Sequence, residues 1–294
     1  MRVVGIGGGH GLAQTLRAAR HYSDEVSAVV TVADDGGSSG RLIRDFGIPP
    51  PGDVRNCLAA LSKEKELARL FQHRFQSGGL TGHTVGNLVI AALTEIEGDF
   101  ARAVAAAGRI VGAAGEVHPA SNQQLTLRAE AGGRIIDGQA NVARSHEPIH
   151  KVFIEPSDPE ANPRAVEAIL SADQVVLGPG SLYTSLMATL LVPGIARAVQ
   201  ETRGRSVFVC NCRMQKGETD SLDAAAHVEV LVQHLGRGAV DDVIVQHPPR
   251  DRDGVPVDPG RIEAFGTRVW CADVTGASGS HDPERLARIL SGVV

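Results

Sequence analysis

Short apolar blocks, glycine turns and helix-spaced stripes follow one another along this chain in the order that builds a doubly wound sheet. Residues 2–6 predict a buried strand, followed by Gly7, Gly8, Gly9 and Gly11 and a helix carrying Leu12, Leu16 and Ala19. Residues 27–32 predict a second strand, ending in Ala33-Asp34-Asp35-Gly36-Gly37-Ser38-Ser39-Gly40. After the rigid Pro49-Pro50-Pro51-Gly52 loop, a helix is expected from Asp53 to about Leu61, with Asp53 as its N-cap. Residues 64–112 read as wholly helical, and Val85, Leu88, Val89, Ala92, Leu93 and Ile96 form one stripe expected to be buried. From about 120 to 150 the period changes: Leu125, Leu127 and Ala129 alternate, Gly132-Gly133 turns the chain, and Ile135-Ile136 begins the return. This predicts an inserted antiparallel hairpin, either an oligomer surface or a lid, and a homo-oligomer is expected. Strands at 174–177, 206–210 and 242–246 then alternate with helices near 163–171, 185–200 and 222–236. Strand 267–271 and helix 284–291 close the chain, after a Pro- and Asp-rich surface loop at 247–260. The expected fold is α/β and Rossmann-like, a mostly parallel doubly wound sheet with a helical insertion and an inserted hairpin, in one domain over residues 1–294.

Aromatic residues make up only 3% of the sequence, so the core must come from Val, Leu, Ile and Ala, which suits a buried parallel sheet. The formal net charge of -5, with no long basic run, argues against nucleic acid as partner, since that binding rests on clustered Lys and Arg. Cys57, Cys210, Cys212 and Cys271 form no CxxC pair and lack a His at zinc-finger spacing, so reduced, mostly buried thiols are expected. No apolar run is long enough to span a bilayer and no signal-peptide pattern precedes the first strand; the expected compartment is the cytoplasm.

Three loops carry the candidate chemistry. Gly7, Gly8, Gly9 and Gly11 do not form the dinucleotide fingerprint, because the sixth position counted from Gly5 is His10 and from Gly7 is Leu12. A nicotinamide-dependent dehydrogenase is disfavoured on that ground. Bare backbone between strand and helix nevertheless lets a phosphate reach the helix N-terminus. Asp34 and Asp35 stand side by side at a strand end, where mutual repulsion raises the cost of ionising both. Either suits ribose hydroxyls, or they hold Mg²⁺ through waters. Gly36, Ser38 and Ser39 add backbone and hydroxyls for phosphate oxygens. Gly178, Gly180, Ser181, Tyr183 and Thr184 repeat the theme after a third strand. Loops at three strand ends converge on one crevice in an open α/β sheet, which predicts a cleft for a phosphorylated nucleotide.

His83 and Asn87, four residues apart on a helix opened by Gly82-His83, share a face that is free to point into this cleft. Arg55 and Asn56 either contact an anionic ligand or lie solvated. Tyr183 and Phe46 are the candidates for stacking on a base. Ser38 or Ser181 with His83 and Asp53 makes a formal hydrolase set, but without a Gly-x-Ser-x-Gly elbow no catalytic residue is assigned.

Val32-Ala33-Asp34-Asp35-Gly36-Gly37-Ser38-Ser39-Gly40-Arg41, Pro50-Pro51-Gly52-Asp53-Val54-Arg55-Asn56-Cys57, Gly82-His83-Thr84-Val85-Gly86-Asn87-Leu88 and Leu177-Gly178-Pro179-Gly180-Ser181-Leu182-Tyr183-Thr184-Ser185 resemble the YvcK-type gluconeogenesis factor family. The similarity extends to Asn211 and to Gln215-x-Gly217-Glu218-Thr219-Asp220. That family belongs with the CofD-like 2-phospho-lactate transferases. The resemblance implies a Rossmann-like cytoplasmic protein that binds a UDP-sugar such as UDP-N-acetylglucosamine, with no cofactor required. It places Asp34, Asp35, Ser38, Asp53, Asn56, His83 and Asn87 around the ligand, with the 178–184 loop and Asn211 completing the pocket. It further implies a role in cell shape and envelope synthesis during gluconeogenic growth, through an envelope-synthesis protein partner. The alternative from the same superfamily is a Mg²⁺-dependent phospholactyl transferase with a nucleoside diphosphate donor, its metal placed by Asp35 or Asp53. Asp34-Asp35-Gly36-Gly37-Ser38-Ser39 looks like the regulatory branch. His10 and Cys212-Arg213-Met214 depart from the family's usual residues.

Overall fold

The structure, a computed structural model, describes residues 1–220, 222–277 and 279–293. Val3, Val4 and Ile6 require cover on both faces, and β1 (Arg2–Gly7) accordingly lies inside a sheet, with α1 (Gly9–Ala19) packed on it through Leu12 and Leu16. The chain continues through β2 (Glu25–Val30), α2 (Gly37–Phe46), α3 (Gly52–Leu61), α4 (Lys65–Gln72), α5 (Val85–Glu97), α6 (Phe100–Ile110) and β3 (Glu116–Pro119). An insertion follows: β4 (Thr126–Ala131), β5 (Arg134–Asp137), α7 (Gln139–Val142) and β6 (Ile149–Glu155). The second half holds α8 (Pro163–Ser171), β7 (Gln174–Leu177), a π-helical turn Leu182–Met187 running into α9 (Ala188–Leu190), α10 (Pro193–Glu201) and β8 (Arg205–Val209). It closes with α11 (Ala224–Leu235), β9 (Asp242–Gln246), α12 (Pro259–Glu263), β10 (Arg268–Ala272) and α13 (Pro283–Leu290).

Seven strands form one sheet in the order β10-β9-β8-β7-β1-β2-β3, and every pairing in it is parallel. The chain winds outward from β1 to β3, then returns to β7 on the other side of β1 and winds outward again. The order therefore reverses between β1 and β7, where the crevice of such a sheet lies. Among the described residues no single helix is long and apolar enough to cross a membrane.

Several expectations are corrected. The expected antiparallel hairpin is β4–β5, turned at Gly132-Gly133, and β6 extends it to a three-stranded sheet, β5-β4-β6, because Val152 and Ile154 give β6 an inward face of its own. Residues 73–84 are not helical; the segment folds back on itself, with Gly82 N bonding Phe75 O and Val85 N bonding His73 O. On α5 the inward face is Gly86, Asn87, Ile90 and Ala91, while Ala92 is exposed and Ile96 is 77% exposed. Gly86 decides this: a Cβ there would lie 2.7 Å from Arg55 Cγ and 2.9 Å from Phe71, so only glycine permits the approach. Pro51, not Asp53, takes the N-cap position of α3, and Asp53 sits in its first turn. His83 precedes α5, whose N-cap is Thr84. The helix expected at 185–200 is broken before Pro193. Five elements were not expected at all: α2, β3, α7, β6 and α12.

Candidate functional site

At the switch point the loops after β1 and β7 touch through bare backbone. A Cβ on Gly11 would overlap the Pro179 carbonyl, and one on Gly180 would lie 3.3 Å from Gly8 O. Thr15 Oγ1 donates to Gly178 O at 2.7 Å and Thr189 Oγ1 to Gly7 O at 3.2 Å, so both loops are held from within the core. Gly8 is the N-cap of α1 and supplies no side chain, so the helix end has no cap of its own. Asp53 enters from α3 and accepts a hydrogen bond from Gly9 N–H, and a Cβ on Gly8 would collide with its carboxylate. Burial, then the charge of Asp34, pushes the Asp53 carboxyl up to about 7.

The two adjacent aspartates point different ways. Asp34 turns inward: Oδ1 accepts from Gly36 N at 3.0 Å, Ser39 also bonds the carboxylate, and burial raises its proton affinity. Asp35 turns outward to the insertion, where Oδ1 accepts from Ala140 N at 2.8 Å, at the start of α7. The carboxylate beside Asp53 is thus Asp34. Asp35, one of the two residues expected to place a metal in the transferase alternative, bonds the insertion, and among the described residues no group of three or more His, Cys, Asp or Glu is placed to hold a metal ion.

Ser38 and Ser39 lie in the first turn of α2, which has no side-chain cap. Ser38 Oγ is 3.0 Å from His83 Nδ1 and accepts from Asn87 Nδ2 at 3.1 Å, so these three expected residues do meet. Asn87 Oδ1 in turn accepts from Arg55 Nη1 at 3.2 Å, and Arg55 Nη2 donates to Asn56 Oδ1 at 2.7 Å. Arg55 is buried, not solvated, and its Nε has no partner. Burial first, then Arg74, lowers Arg55 to about 10. Arg41 and Arg74, which sequence reading missed, flank His83 by donating to the carbonyls of Thr81 (2.8 Å) and Gly82 (2.5 Å). Burial and then Arg41 lower the His83 pKa. Among the described residues Arg41, Arg55 and Arg74 form no close ion pair, while the charges of Asp53 and Asp34 act on Arg55 from a longer distance.

The third loop is tied to the segment after β8. Asn211 Oδ1 accepts from Gly180 N at 3.2 Å, Asn211 Nδ2 donates to Gln215 Oε1 at 2.8 Å, and Gln215 Nε2 donates to Ser181 Oγ at 2.8 Å. Buried Glu218 accepts from Tyr183 N (2.6 Å), Thr184 N (3.0 Å) and Thr184 Oγ1 (3.0 Å). The backbone N–H groups of Tyr183 and Thr184 and the Thr184 hydroxyl are therefore engaged by a carboxylate of the chain itself. Tyr183 is buried, and Phe46 is 48% exposed at the far end of α2, away from the cleft loops. Gln139 on α7 donates to Thr184 O at 2.8 Å, so the insertion bridges the β2 and β7 loops.

Residues 3–275 match the family model of 2-phospho-L-lactate transferase CofD. The gluconeogenesis factor of Halalkalibacterium halodurans is 46% identical over 90% of this chain and 86% of its own length. The chain belongs to the gluconeogenesis factor family. Its Bacillus subtilis member is also 46% identical, over 81% of this chain and 76% of that one. The crystal structure of a UPF0052 family protein from Bacillus halodurans superposes with a TM-score of 0.94, at 40% identity and 98% coverage of both chains. In this member of the gluconeogenesis factor family, His10 and Cys212-Arg213-Met214 line one cavity with Gly11, Pro179 and Gly180.

Proposed function

We propose that the protein binds a sugar nucleotide of the UDP-N-acetylglucosamine type in this cleft and acts as a cytoplasmic regulator without turning the ligand over. The observation that carries this reading is the meeting of the β1 and β7 loops at the switch point. There Gly8, Gly11 and Gly180 bring bare backbone, and the N-terminus of α1, to the edge of the crevice, the groups suited to meet a diphosphate. The unpaired arginines on the α2 flank favour an anionic ligand. The likeness to gluconeogenesis factors supports a role in gluconeogenic growth, and this reading places that role in envelope synthesis and cell shape. In this reading the insertion, bonded to Asp35 and Thr184, carries the ligand state to an envelope-synthesis protein or a second copy of the chain.

One observation favours a second reading, a Mg²⁺-dependent phospholactyl transferase. Asp34 and Asp53 form a close carboxylate pair with raised proton affinity, a donor set that fits Mg²⁺ shared with substrate phosphates. Calorimetric titration with UDP-N-acetylglucosamine, and in parallel with GDP plus Mg²⁺, separates the two. Saturable binding of the sugar nucleotide, lost in Asp34→Ala, with unchanged ligand recovered afterwards, supports the regulator. Preference for GDP with Mg²⁺ and consumption of a phospholactyl donor would replace it by the transferase.

A further inference from the structure

The outward face of α5 is apolar along its whole length. Val85, Val89, Ala92, Leu93 and Ile96 recur at helical spacing and form one stripe. Val85, Val89 and Leu93 are half-buried, Ala92 is exposed and Ile96 is 77% exposed. The other sides of the helix pack on α2, α3, α4 and α6. Leu70, on the neighbouring α4, is 49% exposed as well. A stripe of this spacing belongs against a second apolar surface, and among the described residues none covers it.

The charges at the two ends of α5 point to what that surface is. A solitary helix is stabilised by acids in its first turn and bases in its last, and α5 has neither. Its last turn instead carries Glu95 and Glu97, which form no ion pair among the described residues. Asp99 follows, with Arg102 set against it at 4.0 Å. At the other end Arg41 and Arg74 hold the carbonyls of Thr81 and Gly82, just ahead of the helix. Asp45 is the acid whose charge reaches His83 there. The end charges therefore add to the helix dipole where they would ordinarily offset it. An anionic membrane would be repelled by Glu95 and Glu97, and a partner of one charge sign would suit one end only. A second α5 laid antiparallel meets both ends at once, and a twofold axis supplies it.

We infer that this face is the contact between two copies of the chain, with α5 packed antiparallel on α5 of the partner subunit across a twofold axis. With the stripes in full register, Ile96 meets Val85 of the partner subunit and Ala92 meets Val89 of the partner subunit. The acidic end of each helix then lies at the basic end of the other. The homo-oligomer expected from the sequence forms in this way through α5 and not through the insertion, and it does not depend on which ligand the cleft takes.

The test is sedimentation velocity over a range of concentrations with wild type, Ile96→Glu and Glu95→Lys. The wild type should dimerise. Ile96→Glu should weaken the dimer at least about tenfold, because it buries a charge in the contact, and Glu95→Lys several-fold. Both positions are exposed, so the thermal midpoint of the monomer should change little. Cysteine cross-linking fixes the direction, in a Cys271→Ser background because Cys271 is the exposed thiol. Across an antiparallel contact two Ala92 positions stand about 5 Å apart along the helices and two Ile96 positions about 16 Å. Mild oxidation should therefore link Ala92→Cys into a covalent dimer and leave Ile96→Cys unlinked. A wild type that stays monomeric at every concentration overturns the inference, whatever else the face then binds. A dimer that Ile96→Glu leaves intact places the contact on another face, and equal linking at both cysteines overturns the antiparallel arrangement.

Discussion

Asp53, in the first turn of α3, has the charge of Asp34 beside it, and together with burial this raises its carboxyl to about 7. A carboxyl whose folded value exceeds its unfolded value of about 4 binds its proton more tightly in the native state. Its contribution to stability is therefore whole below about pH 4 and is lost as pH rises through about 7. Asp53→Asn removes this titration. The variant should exceed the wild type in stability by on the order of 3 kcal/mol at pH 8, with the difference shrinking towards pH 4. Urea unfolding of both proteins at pH 5 and pH 8 checks this, and an equal difference at the two pH values contradicts it. The same variant should lose ligand affinity, as expected where a site carries charge that the fold alone does not favour.

Asp35 gives a contrasting expectation. Its carboxylate accepts from Ala140 N, and a Cβ on Gly138 would collide with it, so the contact between the β2 loop and α7 is close. Asp35→Ala should free the start of α7 and raise amide exchange over residues 138–145, while binding of the diphosphate changes little. Asp34→Ala should do the reverse. Hydrogen exchange with and without UDP distinguishes them; loss of UDP binding in Asp35→Ala with no change in exchange would reverse the assignment.

These two residues also show where sequence reading stops. Strands such as Gln174–Leu177 and Asp242–Gln246 are legible because each is a short apolar block fully covered on both faces, and Gly7–Gly11 is legible as a strand-to-helix turn by composition. Asp34 and Asp35 are indistinguishable by composition, since what separates them is direction, and the partner of Asp35 is Ala140, 105 positions away. Arg41 and Arg74 escaped notice because backbone carbonyls in a non-helical segment hold them, with no charge pattern to mark them. The stripe on α5 misled for a tertiary reason: Asn87 must face inward to reach Ser38 and Arg55, and that turns Ile96 outward. β3 has only four residues, at a sheet edge and ending in Pro119, too few for a period to show.

Glu218 is the residue of the β8 loop with most to lose. It is buried, and burial raises its carboxyl even though two backbone N–H groups and the Thr184 hydroxyl bond to it. Glu218→Ala would leave those donors without partners at the start of the Leu182–Met187 turn, at a cost of roughly 2–3 kcal/mol. Thermal unfolding should show a lowered midpoint. Sugar-nucleotide affinity should fall with it, because the same turn follows Gly180. Glu218→Gln keeps an acceptor and should recover part of the stability; a Gln variant as unstable as the Ala variant would assign the loss to packing instead.

Gly11→Ala tests the crevice itself. Gly11 lies within α1 with no unusual backbone angle, so alanine is a better helix former there and, judged on α1 alone, should stabilise the protein. The added methyl nevertheless meets the Pro179 carbonyl and the Gly180 Cα, so the β1 and β7 loops must move apart. Overpacking of this kind costs about 1–3 kcal/mol, which outweighs a gain of about 1 kcal/mol in helix propensity. The variant should be modestly destabilised and bind UDP at least about tenfold more weakly, since a diphosphate held by backbone N–H groups tolerates little displacement. Gly236→Ala serves as the control: it carries a comparable backbone cost at φ +87° with nothing within 4 Å of the new methyl, and it follows α11, away from the cleft. Loss of UDP affinity in Gly11→Ala but not in Gly236→Ala, at matched stability, locates the diphosphate between the two glycine loops; equal affinity in both variants would move it elsewhere.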